Sequence, residues 1–310
     1  MQPIITVMLN PVLDQTLYLD RLRPGAVNEA DNGQVYPGGQ GVNIARGLAD
    51  WGVPVIATGV LGTENAAPFA ALFAAKGISN RFVLQEGSCR STVKLVDRTS
   101  GLTTEVNQPG QPIQPDAYAA CLWQIDRLCQ PGSLVVLTGS LPPGLPDDTY
   151  AWLIARLALH ESRVALACGG QALMQAIGGL PLPFCINPNR QELAQAVGQA
   201  LPEVRDVLHA ALHWHRNGVA QIVVSLARSG ALFVAEGKAW HAQAHGMIGD
   251  GDALLAGWLA AQHQRRDIED AMRLALACST GMLGIVGSHS PATSTVRDLA
   301  REVRLTRLPA

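Results

Sequence analysis

Six short apolar runs, near 4–9, 55–60, 134–138, 164–168, 184–187 and 222–226, recur along this chain with helical stretches between them. One is apolar at every position and the others at nearly all. A strand facing water on one side alternates apolar with polar residues, so continuous runs point to strands covered on both faces by helices. Helical periodicity places the covering elements near 66–76, 116–128, 147–160, 170–177, 190–197 and 203–216. A hairpin at 231–234 and 239–242 and helices near 251–263, 268–284 and 295–303 complete the order. Alternation of this kind predicts an α/β layered fold, a parallel sheet joined by right-handed crossovers. With 310 residues, 48% hydrophobic and 15% charged, the chain can bury the core such a fold requires, and we expect one domain over 1–310.

Two segments, about 15–37 and 82–108, break the rhythm with shorter, alternating and more polar strands. They predict a small β-sheet projecting from the main body. Such a sheet can cover a cleft and exclude water from it, or pair with its copy in a homodimer, and the two uses are compatible.

Several function classes are disfavoured. The formal net charge is −2 with no long basic block, which argues against a nucleic-acid partner. No apolar run reaches the ~20 residues of a membrane span. The first residues are strand-like and lack a charged leader, so export is not expected. Six scattered cysteines without a Cys-x-x-Cys pair fit reduced, buried side chains in a cytoplasmic protein. His209, His213 and His215 lack a further ligand at suitable spacing and are expected on an ordinary amphipathic helix.

Two glycine clusters carry the chemistry. Gly249-Asp250-Gly251-Asp252 runs directly into an apolar helix, and Gly38-Gly39-Gln40-Gly41 precedes a helix expected from Asn43 to Trp51. Glycines let the backbone approach a ligand closely, and a helix start offers free N–H groups and a positive dipole end to an anion. Asp252, in the first turn, either caps its helix or takes a proton from a substrate hydroxyl. Two such starts in one chain suit a phosphoryl-transfer site with two substrates.

Seven ordered motifs, from Leu9–Asp14 through Gly38–Asn43, Cys89–Leu95, Thr138–Gly144, Asn187–Leu193 and Ser225–Gly230 to Gly249–Asp252, resemble the PfkB (ribokinase-like) carbohydrate kinases. The resemblance runs nearly end to end and lies closest to the 1-phosphofructokinase and tagatose-6-phosphate kinase branch. It implies a ribokinase-like three-layer α/β/α core with a small β-sheet lid. It also implies ATP-dependent phosphorylation of a ketohexose phosphate, such as fructose 1-phosphate or tagatose 6-phosphate, with Mg²⁺ as cofactor. Asp252 would be the general base, and the backbone N–H groups of Gly249, Asp250 and Gly251 would form the anion hole. Asp14, Gly38, Gly39, Gln40, Asn43 and Ser140 would bind the sugar, and Arg90 with Lys94 its phosphate. Asn187, Asn189, Glu192 and the loop Ser225, Leu226, Ala227, Arg228, Ser229 and Gly230 would hold the nucleotide, with Glu192 reaching the metal through water.

The chain also departs from that pattern. Gln40 stands where the resembled kinases carry Lys, Ala167 where they carry Asp, Asn187 where they carry Lys, and Ala227 where they carry Gly. The Ala227 change matters if the position needs positive φ. Asp250 replaces Ala. A carboxylate there would repel a nucleotide by about 1 kcal/mol at 4 Å in water, unless it points outward or recruits Mg²⁺. These departures define an alternative, a catalytically impaired relative that binds a sugar phosphate or nucleotide as a sensor or regulator.

Overall fold

In the computed structural model, which describes residues 2–31, 33–244, 251–283 and 290–309, all six apolar runs are strands of one large sheet. These are β1 (Ile4–Met8), β4 (Val55–Gly62), β9 (Leu134–Thr138), β10 (Arg163–Ala167), β11 (Cys185–Ile186) and β12 (Gln221–Ser225). They pair in parallel in the order β12-β11-β10-β9-β1-β4. Beyond β12, the strands β13 (Ala231–Ala235), β14 (Lys238–Gln243) and β15 (Arg304–Leu308) continue the sheet antiparallel. Beyond β4 lie the short β5 (Ser79–Asn80) and β6 (Val83–Gln85), both parallel to it.

Burial on both faces explains the largely apolar runs. One core gathers α1 (Gln40–Asp50), α2 (Ala67–Lys76), α8 (Gly251–His263), α9 (Ile268–Gly281) and α10 (Thr293–Glu302) around alternate strand residues such as Ile4, Met8 and Val223. The other gathers α3 (Pro115–Leu128), α4 (Thr149–Ala158), α5 (Gly170–Gly178), α6 (Arg190–Val197) and α7 (Val204–Arg216) around the intervening Ile5, Val7 and Val224. The molecule is thus an α/β/α sandwich. Among the described residues, no helix is long and apolar enough to cross a membrane.

A separate four-stranded sheet has the order β3-β2-β7-β8, formed by β2 (Val12–Leu19), β3 (Gln34–Gly38), β7 (Arg90–Asp97) and β8 (Thr103–Asn107). It begins at Val12, earlier than the expected 15. Residues 82–84 were expected there too, but Val83 pairs with Val60 in the large sheet. The cause is Phe82, which stacks on Phe73 of α2 with ring centroids 5.8 Å apart, so the segment is anchored in the main body. Strand β15 was not anticipated: its sequence Arg-Leu-Thr-Arg-Leu lacks the near-continuous apolar run that marked the other strands, as suits an exposed edge strand.

Candidate active site

The small sheet hangs over the C-terminal ends of β1 and β9. Between them lies a cleft of about 440 Å³ lined by Asp14, Gly38, Gly39, Gln40, Asn43, Arg90, Lys94, Ser140 and Asp252, all expected at the site. Strand pairing explains the convergence. Asp14 on β2 stands opposite Thr92 on β7, and Thr16 opposite Lys94, so even-numbered residues of both strands face the cleft together. Across the next ladder Thr92 faces Asn107 and Lys94 faces Glu105, which brings two residues of β8 into the lining.

Asp14 is buried, and burial pushes its carboxyl above the usual range, while Lys94, with its Nζ 3.5 Å from Oδ2, pulls it back toward ionisation. Gly38 stands beside it because any Cβ there would collide with the Asp14 carboxylate. Burial lowers the Arg90 pKa and the Asp14 charge opposes that shift. The Arg90 Nε donates to the backbone oxygen of Asn10 at 3.3 Å. Asn10 in turn donates from Nδ2 to Pro109 O at 3.1 Å and to Ser140 Oγ at 3.2 Å. That one amide ties the entry to the small sheet, its exit and the floor loop.

Asp252 occupies the second position of α8 and is 8% exposed. The Asn43 Nδ2, from α1, donates to its Oδ2 at 3.0 Å. Asn43, expected to bind sugar hydroxyls, lines the first cleft and also makes this bond to the candidate base. Helix α1 starts at Gln40, three residues earlier than expected, with Gly39 as its N-cap at φ 90°. No side chain caps that start.

A second cleft, also about 440 Å³, adjoins the first and shares Gln40, Gly139 and Ser140 with it. Its other walls are Gly169, Gly170, Asn189, Gln191, Glu192 and Gln195. Asn189 caps α6: its side chain accepts the Glu192 N–H, and the Glu192 Oε2 accepts the Asn189 N–H at 2.8 Å. Burial raises the Glu192 carboxyl and that N–H lowers it. Gly169 lacks the Cβ that would strike the Glu192 carboxylate 2.6 Å away, so the two positions fit each other.

The remaining expected nucleotide residues lie outside both linings. Asn187 donates from Nδ2 to Val223 O at 2.8 Å, a link between adjacent strands. The 225–230 loop follows β12 and joins the second cleft through a bridge between Asn189 and Ser225. Within it, Ala227 holds φ 51°, the left-handed conformation in which the resembled pattern has Gly. Arg228 is exposed. Gly251 begins α8, whereas Gly249 and Asp250, and with them most of the expected anion hole, lie outside the described residues.

Asn10, Thr92, Glu105, Asn107 and Thr138 also line the first cleft but were assigned no role beforehand. Thr92 was within reach, since Arg90, Thr92 and Lys94 alternate along one strand. Glu105 and Asn107 depend on the β7–β8 register, for which the local sequence carries no signal.

The chain matches the model of the pfkB family of carbohydrate kinases over residues 8–294. It is 37% identical to a 1-phosphofructokinase of Xanthomonas campestris pv. campestris, over 98% of both chains. It is also 37% identical to a 1-phosphofructokinase of Rhodobacter capsulatus, covering 99% of this chain and 98% of that one. Among solved structures, phosphofructokinase-2 of Escherichia coli in complex with fructose-6-phosphate superposes with a TM-score of 0.88 at 22% identity, covering 97% and 99% of the two chains.

Proposed function

Because this chain belongs to the pfkB family of carbohydrate kinases and phosphorylates a sugar phosphate with ATP, we propose that its acceptor is a ketohexose phosphate and that fructose 1-phosphate is preferred. One observation carries this reading: a single cleft contains a buried carboxylate at a helix start, Asp252, together with a guanidinium, Arg90, and a second carboxylate, Asp14. A base, a phosphate reader and a hydroxyl acceptor in one space suit a sugar that already bears a phosphate. The names of the relatives favour fructose 1-phosphate over tagatose 6-phosphate.

In this mechanism Asp14 accepts hydrogen bonds from sugar hydroxyls, and Arg90 holds the existing phosphate through its planar fork. Asn43 fixes the Asp252 carboxylate, which takes the proton of the attacking hydroxyl as that oxygen bonds to the γ-phosphorus and ADP leaves. The N–H groups at the start of α8, with Gly251 among them, stabilise the charge on the transferring phosphoryl. The small sheet closes over the cleft as a lid and keeps water out. Domain organisation follows from this: residues 1–310 act as one kinase domain with that lid.

Glu192 and Asn189 suit Mg²⁺ held through water, being oxygen donors in the second cleft, and the capping bond takes one Glu192 oxygen, Oε2. When bound, the ion neutralises charge on the β- and γ-phosphates. The outer face of the lid exposes Val35 (55%) and Val106 (54%), an apolar surface suited to pairing with a second copy as a homodimer. Its reaction and six free thiols suit the cytoplasm. Nothing in the comparisons favours a non-catalytic binding protein.

The test is ADP release from MgATP across free and phosphorylated ketohexoses, with a no-sugar control. Fructose 1-phosphate should give the highest kcat/KM. Equal turnover of free fructose would overturn the assignment of the phosphate subsite.

A further inference from the structure

A groove of about 730 Å³ runs between α7 and the β14–β15 edge of the large sheet, and neither cleft of the candidate active site shares a residue with it. Such a volume lies within the usual ~300–1,000 Å³ of small-molecule sites. Its walls are apolar, with Leu208 and Leu212 from α7 and Leu308 from β15. Its rim is nitrogenous: Arg205, His209 and Arg216 from α7, and His241 from β14. Among the described residues no carboxylate lines it. The acidic side chains at the start of α7, Glu203 and Asp206, are turned into a capping box around the helix start.

The arrangement is linear. Arg205, His209, Leu212 and Arg216 fall at i, i+4, i+7 and i+11, one stripe of the helix. Eleven residues of helix span about 16 Å along the axis, so an arginine is available near either end of a trough with an apolar middle. A guanidinium fork matches the oxygens of a phosphate, and the middle suits a hydrocarbon chain. One helix width leaves room for a single chain rather than a bilayer surface.

The groove also reaches the nucleotide loop. The His241 ring nitrogen Nε2 donates to the backbone oxygen of Ser229. Ser229 closes the turn Ala227–Ser229, in which Ala227 already sits in the left-handed region.

We propose that this groove binds a free single-chain alkyl or acyl phosphate, and that its occupancy is transmitted to the nucleotide loop through the contact between His241 and Ser229. Binding is independent of the assigned kinase reaction, while the transmission rests on the assignment of 225–230 to the nucleotide. A calorimetric titration measures the first without any turnover, so a failed sugar assay and a failed groove remain distinguishable.

The probe is decyl phosphate below its micelle concentration, titrated into the full chain and into the Arg205→Gln/Arg216→Gln double variant, both substitutions being at solvent-facing positions. Inorganic phosphate and decanol are the reference ligands. Saturable one-site binding is expected, at least about tenfold weaker in the double variant and for either reference ligand. Absence of saturable heat, equal affinity in the double variant, or equal affinity for inorganic phosphate would overturn the site. Saturating decyl phosphate should shift the KM for MgATP severalfold in the parent chain and leave it unchanged in His241→Ala. An unshifted KM in the parent chain would overturn the transmission.

Discussion

The two adjoining clefts have the same volume and opposite chemistry. The first holds Asp14, Glu105 and Asp252 against Arg90 and Lys94. In the second, Glu192 is the one ionisable side chain among the described lining residues, and Gln40, Gln191 and Gln195 stand where charges could. What the second cleft has instead is backbone. Helices α1 and α5 begin at its edge with Gly39 and Gly169 as N-caps, and neither start is satisfied by a side chain. Free N–H groups and the helix dipole there supply positive potential without a cation. On the proposed assignment of the two clefts, this is a division of labour: side-chain charge would distinguish one sugar phosphate from another, whereas backbone dipoles would hold the polyphosphate common to every turnover.

Four substitutions probe that division. Replacing the base should have the largest effect: Asp252→Asn should lower kcat by about 10²–10⁴ and leave MgATP affinity, measured by calorimetry, largely unchanged. A fully active variant would remove Asp252 from the mechanism. Next, Arg90→Gln removes charge-assisted hydrogen bonds worth about 1.5–3 kcal/mol, so the KM for the sugar phosphate should rise about 10- to 150-fold. If MgATP KM rose equally, the two clefts would not be separate in function.

Gln40→Lys tests the shared boundary. An added cation near a phosphate at about 4 Å contributes about 1 kcal/mol in water, hence about a fivefold lower KM for whichever substrate it meets. Comparison of the two KM values shows to which cleft position 40 belongs. The smallest effect is on stability. Ala227→Gly relieves a left-handed conformation costing about 1–2 kcal/mol, partly offset by about 0.5–1 kcal/mol of added chain entropy in the unfolded state. A rise in Tm of about 2 °C is expected in a thermal melt. A lower Tm would show that the loop gains more from the alanine than its backbone loses.

Much of this was legible beforehand, and the reasons are physical. Parallel strands buried on both faces are apolar at nearly every position, so Ile4–Met8 and Leu134–Thr138 announced themselves despite the buried Thr6 and Thr138. Glycines running directly into a helix marked Gly38 and Asp252 as candidates. Other features lay between segments. Nothing in Phe82-Val83-Leu84 itself says which sheet the segment joins; its pairing with β4 and the packing of Phe82 on Phe73 place it in the main body. Asn43 was singled out for sugar binding, yet its partner is 209 positions away in the sequence. Glu105 reaches the cleft only because β7 and β8 pair in one register, and a shift of one residue would turn it to the opposite face.

The sequence by itself determined the layered α/β architecture, the places where helices begin at glycines, and the acids and cations available for phosphoryl transfer. Local patterning is sufficient for these, because burial and backbone conformation constrain each segment separately. Tertiary structure decided which of those groups meet: Lys94 beside Asp14, Asn43 on Asp252, Glu192 turned into a helix cap, and two clefts of different polarity joined at Gln40. Such contacts depend on strand register and on how one helix start faces another, and both are set by packing across the whole core rather than by any one stretch of chain.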